Sequence, residues 1–117
     1  MRGVIGLEIS RGRIGDAAVL TIGGEIDLDT APLLHEAASA CLDEVCVVDL
    51  TDVTFLGSAG LTALVNVTER AKERQASLRI VVDANQPVIR PIEITGLDRE
   101  LALFHSVDEA LQARSLR

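Results

Sequence analysis

A chain of 117 residues, almost half of them apolar, can bury one substantial core but leaves no room for a second, and its formal charge of −7 argues against affinity for a phosphate backbone. With no Trp or Tyr and only Phe55 and Phe104, that core must be aliphatic, as suits a tightly layered α/β domain. No run approaches the roughly 20 apolar residues of a membrane span, and residues 1–6 lack the pattern of a signal peptide, so a cytoplasmic location is expected, without membrane insertion or direct nucleic-acid binding.

Leu7-Glu8-Ile9-Ser10 and Ala18-Val19-Leu20-Thr21-Ile22 read as two strands of an antiparallel hairpin, split by the turn-like composition of residues 11–16. Gly23 and Gly24 are expected to end the second strand. Asp29 or Thr30 then caps a helix with Pro32 in its first turn and one apolar stripe, Leu34, Ala37, Ala38, Cys41 and Leu42. Residues 45–50 are apolar apart from Asp49 and do not alternate, the pattern of a central strand covered on both faces. A polar turn follows, and then Leu61, Leu64, Val65, Thr68 and Ala71 recur at helical spacing. Ser58 is expected at the N-cap of that helix, whose end falls near Gln75. Glu69, Arg70, Lys72, Glu73 and Arg74 read as its solvated face.

Residues 78–82 form the next expected strand, made parallel to 45–50 by a right-handed crossover. Residues 87–95 read as a short helix broken by Pro91 and stopped at Gly96. Residues 101–105 read as a brief edge strand, and Ser106-Val107-Asp108-Glu109 as a capping box opening a last helix that runs to about Ala113. The fold expected is a single α/β domain over residues 1–117: a mixed sheet of four or five strands with helices mainly on one face.

Enzymatic chemistry finds little support. A nucleophile elbow needs Gly two residues before and after the serine; around Ser58, Gly60 fits and Leu56 does not. Nothing in the sequence brings His35 or His105 to Ser58. No Lys-Ser or Lys-Thr follows the glycines, as a phosphate-binding loop requires. Asp27, Asp49 and Asp52 would form a metal cluster only if brought together, and strand-end carboxylates serve more often as caps and turn-formers. Cys41 and Cys46 have no metal-ligand spacing with the histidines and read as small buried hydrophobes. The expectation is therefore no catalytic residue, cofactor or metal. Ser58 itself has two readings, a helix cap or an acceptor whose phosphate the positive helix N-terminus would receive.

Asp49-Leu50-Thr51-Asp52-Val53-Thr54-Phe55-Leu56-Gly57-Ser58-Ala59-Gly60-Leu61 resembles the signature of STAS domains, in particular bacterial anti-sigma-factor antagonists. That signature runs roughly Asp-Leu-Ser-x-Val-x-Phe-Met-Asp-Ser-Ser-Gly-Leu, and Ser58 falls on its phosphorylated serine. Gly57 stands where the family usually has Asp, and Ala59 where it has Ser or Thr. Upstream, Gly24-Glu25-Ile26-Asp27 is similar to the family's Gly-Glu-Leu-Asp. The resemblance implies a non-enzymatic protein that docks on an anti-sigma factor of the ATP-binding kinase type. Phosphorylation of Ser58 would switch it off and a phosphatase would reset it. The implied contact surface is Asp27 with Phe55, Leu56, Gly57, Ser58, Ala59 and Gly60. The alternative implied by the family is a STAS subunit of a larger assembly, such as a lipid-transport ATPase or a stress complex, that binds without phosphorylation.

Overall fold

The computed structural model describes residues 2–4, 6–43 and 45–113, with side chains from residue 6 onward. The elements are β1 Arg2–Val4, β2 Leu7–Ile14, β3 Ala17–Ile26, α1 Ala31–Ser39, β4 Val45–Leu56, α2 Ser58–Glu73, β5 Ser77–Val81, α3 Gln86–Ile94, a 3-10 turn at Leu97–Arg99, β6 Leu103–Phe104 and α4 Val107–Gln112. The six strands form one mixed sheet whose spatial order is the chain order. The first three pair antiparallel, and β3, β4, β5 and β6 run parallel. The strand additional to the expected set is β1, which pairs with Leu7, Glu8 and Ile9. Among the described residues no helix is long and apolar enough to cross a membrane.

Alternation along the strands sorts two layers. Ile9, Leu20, Ile22, Val48, Leu50 and Ile80 face the main core, which α1, α2 and α3 cover through residues such as Leu34, Leu64 and Ile92. On the other face Val19, Val47 and Val81 pack against Ala110 of α4. Residues 45–50 do form a central strand covered on both faces, and among the described residues α4 is the one helix on the far side. Arg79, only 5 % exposed, fixes it there: its Nη1 donates to Ala110 O at 2.6 Å and its Nε to Ser77 Oγ at 3.1 Å. A cation at a helix C-terminus both fills an orphan carbonyl and opposes the dipole. At the other end of α4 the Ser106 hydroxyl accepts the Glu109 N–H at 3.0 Å, as the capping motif implies.

Several expected boundaries move. The hairpin strands are longer than their apolar runs, because residues 11–14 continue the ladder to Ile14 opposite Ala17. Gly23 and Gly24 lie inside β3, which ends at Ile26. Gly24 has φ +100°, and a Cβ there would collide with Gly6 O, so only glycine fits. Cys41 and Leu42 lie just past α1 yet stay buried, and Cys46 in β4 is fully buried as well. Pro91 does not break α3: it sits at the sixth position and removes a single i→i−4 bond, while Val88 and Ile92 on either side are fully buried.

The expected polar turn after Leu50 is in fact strand. β4 continues to Leu56 by absorbing two register shifts against β3. At the first, the Asp49 carboxylate accepts both the Thr51 N–H at 3.0 Å and the Thr51 hydroxyl at 2.8 Å. On the other side β5 stops at Val81, opposite Asp49. There Asn85 Nδ2 donates to Leu50 O and Val53 O, each at 2.8 Å, satisfying carbonyls that have no strand beside them.

Candidate functional site

The register of β3 and β4 brings the two sequence motifs together. Ile26 pairs with Leu56, and Ile26 O accepts the Gly57 N–H at 2.9 Å. Asp27 therefore leaves β3 beside the residue that opens α2, at the C-terminal ends of two parallel strands, where open α/β sheets commonly present their binding residues.

Asp27 and Thr30 build the loop into α1. Asp27 Oδ1 accepts the N–H groups of Thr30 and Asp29, each at 3.0 Å. The Thr30 hydroxyl accepts the Asp27 N–H at 2.9 Å and donates to Glu25 O at 2.8 Å. Thr30 thus stands at the N-cap of α1, but its side chain turns back into the loop instead of capping. The Thr30 N–H, with further bonds from the Thr30 hydroxyl and the Asp29 N–H, holds the Asp27 carboxyl below its ordinary value against the opposing effect of desolvation.

Gly57, not Ser58, is the N-cap of α2: its ψ of −179° is extended, whereas Ser58 is already helical. No side chain caps this helix, and the exposed Ser58 sits in the first turn without a hydrogen-bond partner among the described residues. The N–H groups of a first turn have no acceptor within their own helix, so the site presents donors, a positive dipole end and a hydroxyl together. Gly60 is the point of closest packing. A Cβ there would stand 2.7 Å from Ile26 Cγ2 and 2.5 Å from Leu56 Cδ1, so the α2 backbone rests directly on the ends of β3 and β4. Phe55, 49 % exposed, lays its ring against Gly57, and Leu28, 79 % exposed, projects from the loop after β3.

A STAS domain model matches residues 9–110. The chain belongs to the STAS family. Over 98 residues this STAS domain is 42% identical to the anti-sigma-F factor antagonist RsfB of Mycobacterium tuberculosis, covering 80% of this chain and 78% of that one. It is 33% identical over 96 residues to an anti-sigma-B factor antagonist of Listeria monocytogenes, covering 80% and 82%. The crystal structure of an anti-sigma factor antagonist from Mycobacterium paratuberculosis superposes with a TM-score of 0.81 at 30% identity, covering 95% of this chain and 96% of that one.

Within this STAS domain, Asp27, Phe55, Gly57, Ser58 and Ala59 come together at one end of the sheet. Leu56 is 4 % exposed and Gly60 is buried, so these two support the surface from beneath and do not form its face. Asp49 pairs with Thr21 in mid-strand, well below Asp27, so the structure separates these two carboxylates. Among the described residues no group of three or more His, Cys, Asp or Glu is placed to hold one. Leu28 escaped the sequence reading. Its signal was an apolar residue inside the acidic turn Asp27-Leu28-Asp29, where solvent exposure has no packing reason.

Proposed function

We propose that this STAS domain is a cytoplasmic, non-enzymatic anti-sigma-factor antagonist that docks on an ATP-binding, kinase-type anti-sigma factor and is released from it by phosphorylation of Ser58. The observation that carries the reading is the exposed Ser58 hydroxyl in the first turn of an uncapped α2, beside Asp27 at the shared ends of β3 and β4. A kinase can reach such a hydroxyl, and the helix N-terminus stabilises the charge of about −1.5 to −2 that a phosphate brings. That charge, pressed into a partner, meets desolvation and repulsion, and the complex separates. The names borne by the relatives agree with this role. A phosphatase would then restore the binding form.

The test is incubation of the chain with its kinase-type anti-sigma factor and ATP, followed by intact-mass measurement. One phosphate should be gained by the wild type and none by Ser58→Ala. Equal labelling of Ser58→Ala defeats the assignment. The second reading, constitutive binding within a larger assembly, is favoured by Gly57 and Ala59, where the family has an acid and a second hydroxyl. A stable complex that survives ATP with the wild type unlabelled would select it.

A further inference from the structure

We propose that Gly57 determines partner specificity by seating the Phe55 ring, so that the surface beside Ser58 is an apolar platform fitted to an apolar pocket on the anti-sigma factor. This rests on the docking surface proposed above. Glycine at 57 is not demanded by the backbone, whose φ of −88° and ψ of −179° are open to any residue. Nor does neighbouring main chain exclude a side chain: a Cβ at 57 would lie 3.7 Å from Ile26 O, an ordinary contact. What a Cβ would meet is the Phe55 ring, with Cε2 at 3.0 Å and Cζ at 3.3 Å. The missing side chain is the seat of that ring.

The seat has consequences for recognition. An N-cap ordinarily favours a short polar side chain that bonds the first-turn N–H groups. This chain forgoes that bond at α2 and places an aromatic face there, about half of it open to solvent. Leu28 adds a second exposed apolar side chain at the same end of the sheet. Rigid aromatic groups of this kind act as anchors when a partner supplies a dry pocket. An acidic side chain at 57 would displace the ring and put a charge in its place. The surface therefore selects against partners that read a carboxylate at this position.

Calorimetric binding to the kinase-type anti-sigma factor tests this with the wild type, Phe55→Ala, Gly57→Ala and Gly57→Asp, each first shown by its melting curve to be folded. Gly57→Ala adds one methyl and no charge, so its effect reports the ring alone. Phe55→Ala should weaken binding by about tenfold or more, and Gly57→Ala, whose methyl shifts the ring without removing it, by a smaller measurable factor, both with little dependence on salt. Proton NMR supplies a readout without the partner: the Gly57 Hα signals should be displaced by the Phe55 ring current and return to ordinary positions in Phe55→Ala. Gly57→Ala binding as tightly as the wild type, or undisplaced Gly57 signals, overturns the proposal and leaves the antagonist function standing. Failure of the wild type to bind any such anti-sigma factor overturns the function and this inference with it.

Discussion

Replacement of Gly60 by alanine sets two effects of opposite sign against each other. Helix propensity favours alanine over glycine by up to about 1 kcal/mol, and less than that in a first turn. Against it stands a Cβ built 2.5 Å from Leu56 Cδ1, 2.7 Å from Ile26 Cγ2 and 3.3 Å from Ile26 Cβ. Carbon atoms rest at about 3.5–4.0 Å, so the overlap is on the order of 1 Å with two side chains. Neither can retreat easily: Ile26 is fully buried and β-branched, and Leu56 is buried in the same core. Overpacking of this kind costs about 1–3 kcal/mol, leaving a net loss of about 1–2 kcal/mol. Urea denaturation should show a lower midpoint with an unchanged slope, and melting should fall by about 4–8 °C for a domain of this size. Equal or greater stability in Gly60→Ala would mean that propensity prevails and that α2 does not rest on β3 and β4 as rigidly as argued.

Other consequences can be measured on the same protein. Asp27 has its folded-state pKa lowered from 3.8, chiefly by the Thr30 N–H, so its contribution is full above that value and is lost as pH falls through the lower folded value. Acid titration of the melting temperature should show a shallower decline in Asp27→Asn than in the wild type below about pH 4. Gln75, just past the end of α2, is held at φ +58°, so Gln75→Gly should stabilise the protein by about 1 kcal/mol in the same urea assay. Ser58→Glu should weaken anti-sigma-factor binding by about 2–5 kcal/mol while leaving the melting temperature unchanged or slightly higher, since a negative charge suits a helix N-terminus. A collapsed melting curve in that variant would point to unfolding instead of a blocked interface.

The parts of the fold that depend on local periodicity were legible in the sequence. The spacing of Leu61, Leu64, Val65 and Thr68 identified α2, and Ser106 with Glu109 identified the start of α4. The alternation-free run at 45–50 correctly implied a strand covered on both faces, and the parallel pairing of β4 with β5 followed from the helix between them. Errors arose where a polar residue plays a long-range part. Thr51, Asp52 and Thr54 read as a turn, yet the Asp49 carboxylate and the distant Asn85 amide satisfy the backbone there and let the strand continue. Arg79 is likewise a charged residue in an apolar strand, and its burial is accounted for only by the distant Ala110 carbonyl to which it donates. At the site, a serine before a helical run suggested the cap, but the cap belongs to the last residue with extended geometry, Gly57. The shared end of β3 and β4 was implied by the two motifs. The ring of Phe55 over Gly57 was not, because no spacing rule encodes a missing Cβ.

The identity of spatial and sequential strand order bears on how the chain assembles. No strand has to insert between two that are already paired, so pairing can advance in the direction of synthesis. β3 and β4 are joined through α1 alone, and α2 follows β4 after Gly57 only, so all the groups around Ser58 are present by the time the first turn of α2 has left the ribosome. Each new strand meets only its predecessor, but the parallel pairs β3–β4 and β4–β5 close only after a whole helix has been made, and such non-local pairing folds slowly. The last elements to arrive, β6 and α4, close the outer edge and the far face. A nascent chain halted before residue 103 would hold the Ser58 surface while still exposing Val19, Val47 and Val81, a species for chaperones to meet before any partner does.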